Sequence, residues 1–302
     1  LSPSIFVLLC MDAFTIKDLE NLTGIKAHTI RIWEQRYRFL KPQRTQTNIR
    51  YYTNEELKTL LNISLLNKYG FKISHIDRMT VEEIREKINT LSDAQAQQER
   101  VINDLVQAMV DLDLERIEKA LAGFIATKGM ERTVLQIIFP FLEKIGILWL
   151  TGHINPAQEH LVTNLIRQKL IVAIDTVHTS IKVDRSILFF LPEGEHHELG
   201  LLFMHYLLKS RGLQTIYLGA NVPVKDLAYI VNLKNPDIVY SHLTATTSAF
   251  QFEKFLNQVS QQITGTPVIL SGLLTQHYKK TPPTGIEFKK SLQEVIEHLA
   301  SV

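Results

Sequence analysis

Residues 193–200, Glu-Gly-Glu-His-His-Glu-Leu-Gly, place two imidazoles and three carboxylates in one short stretch. A neutral imidazole can ligate a metal, and a carboxylate behind it can fix its tautomer and raise its basicity. Glu195-x-His197 has the residue types for that division of labour, and Gly200 lets another group approach the backbone closely. Taken alone, the pattern reads equally well as a solvated polar loop. The flanking sequence says how such a loop is held. An apolar run, Ser186–Leu191, closes at Pro192, and beyond the loop Leu199, Leu202, Phe203, Tyr206 and Leu207 fall on one helical face. This is a buried strand, a loop and a helix. In an open α/β sheet, ligands sit at the carboxyl ends of the strands. Two further strand-like runs end in small or polar residues: Ile238–Tyr240 runs into Ser241-His-Leu243, and Val268–Leu270 into Ser271-Gly272.

These three strand ends together resemble the cobalamin-binding domain family of methionine synthase, the corrinoid mutases and the cobalamin-dependent regulators. The family pattern is an acidic residue, x, His, x, x, Gly, then Ser-x-Leu, then Gly-Gly, at close to the present spacings. The resemblance implies that His197 is the lower axial ligand of cobalt and that Glu195 supports it. It also implies that Gly200, Ser241 and Leu243 line the channel for the displaced dimethylbenzimidazole tail, with Ser271 and Gly272 as the last contact. Glu stands for the usual Asp at 195, and Ser for the first Gly at 271.

A chain of 302 residues has room for two or three domains. Its 21% charged and 45% hydrophobic residues are ordinary for a soluble globular protein. The single cysteine, Cys10, excludes a disulfide framework and suits a reducing cytoplasm, the expected location. No apolar run approaches the ~18 residues of a membrane span. The opening ten residues are apolar without a basic leader, and Met11 is the expected natural start.

From Phe14 to Met79 short helical signals follow one another, and Thr15-x-x-Asp18, Thr53-x-x-Glu56 and Ser74-x-x-Asp77 read as capping boxes. Between the first two, a helix, a turn at Gly24 and a second helix burying Ile30, Trp33 and Tyr37 fit a helix-turn-helix. Lys26 to Tyr52 carries seven Lys/Arg against one Glu, in a chain whose net charge is only +2. That concentration is the footprint of a phosphate-binding surface. The segment resembles the DNA-binding domain of the MerR family of transcription regulators, through Trp33-Glu-x-Arg-Tyr37 and Asn48-Ile-Arg-Tyr-Tyr52. The resemblance implies that Thr29 and Arg31 face the major groove of a double-stranded operator. Arg50, Tyr51 and Tyr52 then hold the backbone through a wing, with Arg36 also at the DNA surface.

Residues 83–98 are polar and read as a linker, and from Glu99 to Ile181 the periodicity is helical throughout. Breaks near Asp111–Asp113, Thr127–Gly129 and Gly152–Pro156 divide that stretch into four helices, expected as an antiparallel bundle. Trp149, followed by Glu159-His160, resembles the helical cap of the light-responsive, adenosylcobalamin-dependent repressors of carotenoid synthesis. There the Trp shields the upper face of the cofactor, and the Glu and His contact it from the same side. A Trp in a helical bundle is otherwise core, and a Glu-His pair otherwise solvated. In the photoreceptor members the residue after this Trp is a His able to bind cobalt after photolysis. Here it is Leu150, which coordinates nothing.

From Val183 onward strands and helices alternate in the manner of a doubly wound parallel sheet of about five strands. Tyr217–Pro223 is expected as a second strand-end loop bent at Gly219. His205, His242, His277 and His298 carry no partner pattern and read as structural or exposed. The expected organisation is multidomain: an all-α winged helix-turn-helix over 13–82, a linker over 83–98, a four-helix-bundle cap over 99–182, and a Rossmann-like α/β sheet over 183–302. Such an order implies a regulator, not an enzyme, that senses cobalamin and acts as a homo-oligomer, dimer or tetramer. Adenosylcobalamin is the expected form, with methylcobalamin or hydroxocobalamin as alternatives. A sensor that is insensitive to light, or that acts through protein contacts without a corrinoid, stays open because of Leu150. Corrinoid catalysis would need a substrate-binding barrel of ~250 residues, for which there is no room.

Overall fold

The computed structural model describes residues 14–45, 47–150, 154–244 and 250–301, with the side chains of 150, 292, 293 and 299–301 left aside. Cys10, Met11 and His153 therefore lie outside the described residues. The chain divides into two compact units, Leu1–Leu165 and Ile166–Val302.

The first unit opens with α1 (Ile16–Thr23), where Thr15 and Asp18 form a reciprocal capping box, and α2 (Ala27–Arg36). A two-stranded antiparallel wing, β1 (Gln43–Arg44) and β2 (Arg50–Tyr51), leads to α3 (Asn54–Lys68), which Thr53 and Glu56 cap in the same way. Ile30 and Trp33 are buried as the spacing requires. Tyr37, expected on the same helix, lies beyond its end in extended backbone and stacks on Phe39 at 5.7 Å between ring centroids. Ser74 caps nothing, because the short helix α4 (Ile73–Ile76) begins before it. A third box forms instead at Thr80 and Glu83, opening α5 (Val81–Asn89). Together with α6 (Ala94–Val110), whose Gln95 and Ala96 N–H groups donate to the Asp93 carboxylate, it turns most of the expected linker into helix.

Next come α7 (Leu114–Lys128), α8 (Met130–Thr133), a π turn (Val134–Ile138), α9 (Phe139–Leu150) and α10 (Pro156–Asp175). In a regular helix Pro140 would leave the carbonyl of Gln136 without a donor. The side-chain amide of Gln98 on α6 donates to that carbonyl at 2.6 Å. Helix α6 packs on both α7 and α9, whereas α10 continues across the division between the units. Among the described residues no helix is long and apolar enough to cross a membrane.

In the second unit β3 (Ser186–Pro192), α11 (Leu199–Ser210), β4 (Gln214–Val222), α12 (Val224–Lys234), β5 (Ile238–His242), α13 (Phe252–Gln262), β6 (Val268–Ser271), α14 (Leu273–His277), β7 (Ile286–Lys289) and α15 (Leu292–Ser301) follow in turn. The five strands pair in parallel in the order β4-β3-β5-β6-β7. The first strand therefore lies between the second and third, and its carboxyl end opens at the switch point where ligands bind in such sheets. One sheet face carries Leu188, Phe190, Val239 and Leu270 into a core shared with α12 and α13. Residues 217–222, expected as a loop, stay in strand. The bend falls at Gly219, where the β3–β4 register slips.

Candidate functional site

The loop after β3 is held by its own backbone. Glu195 N–H donates to the Pro192 carbonyl at 3.0 Å, and Asn221 Oδ1 on β4 accepts from Gly194 N–H at 2.9 Å. This folds Glu195 to 0% exposure. Its Oε1 accepts the backbone N–H groups of His196 and His197 at 2.8 and 2.9 Å and lies 2.6 Å from His197 Nδ1. With the carboxylate accepting from Nδ1–H, the imidazole is in the tautomer that keeps its lone pair on Nε2. The His197 side chain is 62% exposed, so a ligand can reach it.

Glu198, next in the chain, ties the loop to its surroundings. Its Oε2 pairs with Arg167 on α10 at 2.9 Å and its Oε1 accepts from the Tyr217 hydroxyl at 3.1 Å. Burial first, then the Glu198 charge, pushes the Tyr217 phenol well above its usual range, so it stays a donor. Behind it His205 stacks on Tyr217 at 4.9 Å and bonds Thr215 Oγ1 at 3.0 Å. Burial, aided by Lys209, pulls His205 from 6.5 down to about 4. His205 is thus a neutral structural residue, as expected. Between those two pH values the unfolded chain takes up a proton that the folded chain refuses. Stability of the sheet unit is therefore expected to fall as pH drops from 6.5 toward 4, by up to about 3 kcal/mol. Urea unfolding at several pH values should show this slope in the native chain and a flatter one in His205→Gln.

The other two strand ends meet this loop differently from the expectation. Alternation along β5 turns Tyr240 and His242 to the face of Ser271, their neighbour on β6, and Ser241 to the opposite face with Val239. Ser241 and Leu243 are fully buried there, and the Ser241 hydroxyl has no hydrogen-bond partner. The residue brought up to Gly200 is His242. A methyl group at Gly200 would stand 2.9 Å from its Nε2, so a larger side chain there would require the imidazole to move. His242 Nδ1 bonds Ser271 Oγ at 2.9 Å, and the same oxygen bonds the Tyr240 hydroxyl at 2.6 Å. Gly272, at φ 98°, adjoins the Leu243 backbone so closely that a methyl would lie 2.9 Å from its nitrogen. His242 had no partner signature in sequence. Its place between Ser241 and Leu243, one residue from each, was the signal available. A cavity of about 680 Å³ at this end of the sheet is lined by residues such as Pro192, Glu193, Pro223 and Phe250, and does not include His197 or Gly200.

Trp149, Glu159 and His160 belong to the first unit. Trp149 is 54% exposed at the end of α9, and so is not core. Glu159 Oε2 lies 3.2 Å from His160 Nδ1, with His160 the more exposed of the two. On the basic face, Arg31 and Arg36 are exposed and Thr29 half-buried, its hydroxyl 3.3 Å from His28 Nε2. Arg50 pairs with Glu34 of α2 at 3.2 Å, and Tyr51 donates to Gln43 Oε1 across the wing at 2.5 Å. Tyr52 departs from the expectation of a surface contact. It is fully buried, bridged to Phe14, and its hydroxyl bonds Glu34. Glu34 thereby clasps the wing to α2 from beneath.

Two family models match the chain: a MerR helix-turn-helix family regulatory protein over residues 14–83, and a B12 binding domain over residues 101–173. The second falls on the helical stretch bearing Trp149, Glu159 and His160. The HTH-type transcriptional repressor CarH of Myxococcus xanthus is 28% identical over 273 residues, covering 88% of this chain and 91% of that protein. The repressor CarA of the same organism is 27% identical over 285 residues, covering 93% and 94%. Among solved structures, the Methanosarcina barkeri monomethylamine corrinoid protein aligns with a TM-score of 0.54 at 13% identity, over 68% of this chain and 100% of its own. That likeness is one of fold. The chain thus joins a MerR-type helix-turn-helix domain to a B12-binding domain, and is homologous to the transcriptional repressors CarH and CarA.

Proposed function

We propose that this protein is a transcriptional repressor whose hold on operator DNA is set by bound cobalamin, adenosylcobalamin above the methyl and hydroxo forms. The observation that carries the reading is the buried Glu195 carboxylate 2.6 Å from Nδ1 of the exposed His197. Among the described residues no group of three or more His, Cys, Asp or Glu could hold an ion by itself. A metal bound at His197 must then arrive with most of its ligands, as the cobalt of a corrin does. Bound adenosylcobalamin supplies a cobalt–carbon bond that light can break. Within the protein, His197 holds the metal, Glu195 fixes the imidazole tautomer, and Arg167 and Tyr217 steady the loop through Glu198. By the resemblance, Trp149, whose indole is exposed, shields the cofactor from water, and Glu159 and His160 contact it. Thr29, Arg31, Arg36, Arg50 and Tyr51 engage double-stranded DNA. Oligomerisation multiplies weak single-domain binding through effective concentration.

Gel filtration and operator binding with adenosylcobalamin, in darkness and after green illumination, test the reading. A larger species with tighter DNA binding in the dark, lost in the light, is the expected result. Cofactor-independent behaviour in both assays overturns it. Leu150 favours one variant of this reading: the residue after Trp149 has no donor atom, so it would offer a bound cofactor no histidine from that position.

A further inference from the structure

We infer that His242 is a displaceable plug in the gap beside Gly200, so that a corrinoid carrying a nucleotide tail enters only when this imidazole turns aside, whereas a tail-less corrinoid does not depend on it. The inference rests on the cobalamin reading and adds to it a residue that selects how the ligand is admitted. The imidazole reaches from the first turn of α11 to the end of β6. A methyl group at Gly200 would come within 2.9 Å of its Nε2 and 3.2 Å of its Cγ. Its Nδ1 bonds Ser271 Oγ at 2.9 Å, on the sheet face shared with Tyr240.

The missing side chain at Gly200 and the small one at Ser271 leave a planar space, and the ring of His242 takes it up. An imidazole is the polar half of a benzimidazole. The filler therefore has the thickness of a tail base and presents a similar nitrogen to the Ser271 hydroxyl. Burial holds His242 below the ordinary imidazole range, against the pull of Glu195, so the ring is neutral and can turn out without carrying a charge. One hydrogen bond latches it, and breaking a single neutral bond of this kind slows entry by about tenfold.

The test compares the full chain with His242→Ala, following association of cobalamin and of cobinamide, the same corrin without its nucleotide, by stopped-flow absorbance in the dark. The expected result is cobalamin association about tenfold faster in His242→Ala, with cobinamide unchanged. Should His242→Ala fold poorly, Ser271→Ala keeps the ring but removes its latch, together with the Tyr240 bond to the same oxygen. It is expected to accelerate cobalamin entry in the same selective way, whereas Tyr240→Phe, which removes that second bond alone, leaves the rate unchanged. Equal or slower cobalamin entry in His242→Ala and Ser271→Ala, or equal acceleration of both corrinoids, overturns the plug while leaving the cofactor reading standing. Absence of binding by either corrinoid to the unaltered protein removes the cofactor reading and the plug with it.

Discussion

Replacing His197 with alanine is expected to abolish the nitrogen-ligated absorption spectrum of cobalamin bound to this protein. The side chain is 62% exposed, so its loss costs little folding energy and a failure to bind reports on the ligand itself. Glu195→Gln forms the instructive comparison. The glutamine oxygen can still accept the N–H groups of His196 and His197, which the carboxylate now holds at 2.8 and 2.9 Å. What disappears is the negative charge facing Nδ1, and with it the basicity lent to Nε2. Substitutions of this supporting kind cost roughly 10–100-fold in metal affinity, and His197→Ala should cost more. Added free imidazole should restore part of the ligated spectrum in His197→Ala, because it can occupy the vacated position. Binding of cobalamin by His197→Ala with unaltered affinity and spectrum would rule out His197 as the ligand.

On the DNA side, Arg31→Ala and Arg36→Ala are expected to weaken operator binding in different ways. Both side chains are exposed on or beside α2, so neither change should alter stability appreciably. If Arg31 reads a base edge, its loss costs about 1–3 kcal/mol on the operator and relaxes sequence preference at one position. If Arg36 contacts phosphate, its loss weakens all sequences alike and lowers the slope of log affinity against log salt by about 1. Titrations at several salt concentrations, on operator and unrelated DNA, separate the two. Tyr52→Phe serves as the control. Its buried hydroxyl bonds Glu34, so the change should lower stability and leave the salt slope unaltered. A lowered slope for Tyr52→Phe, or none for Arg36→Ala, would reassign the phosphate contacts.

The parts of the fold that were legible in sequence are those governed by local chemistry. Thr15 with Asp18 and Thr53 with Glu56 cap helices because each box closes within three residues. The strands Ser186–Pro192 and Val268–Ser271 stand where apolar runs place them. Ser74 misled because its pattern satisfies the same rule, while the chain closes its box at Thr80 instead. The segment 83–98 looked like a linker because its polar composition hides the helical contacts of α5 with α3. Tyr52 looked like a surface residue until Glu34, eighteen positions away, was seen to accept its hydroxyl.

Residue types and spacing alone determined that Glu195 and His197 meet, since they are two positions apart and their hydrogen bond is made within one loop. They also determined the doubly wound order of strands and helices, which follows from the alternation of apolar runs. Only the tertiary structure decided which strand-end side chains face that loop. A parallel strand turns successive residues to opposite faces, so a shift of one position exchanges Ser241 for His242 beside Gly200. Which of the two faces the helix depends on the pairing of β5 with β3 and β6, a relation between residues more than twenty positions apart that no local pattern records.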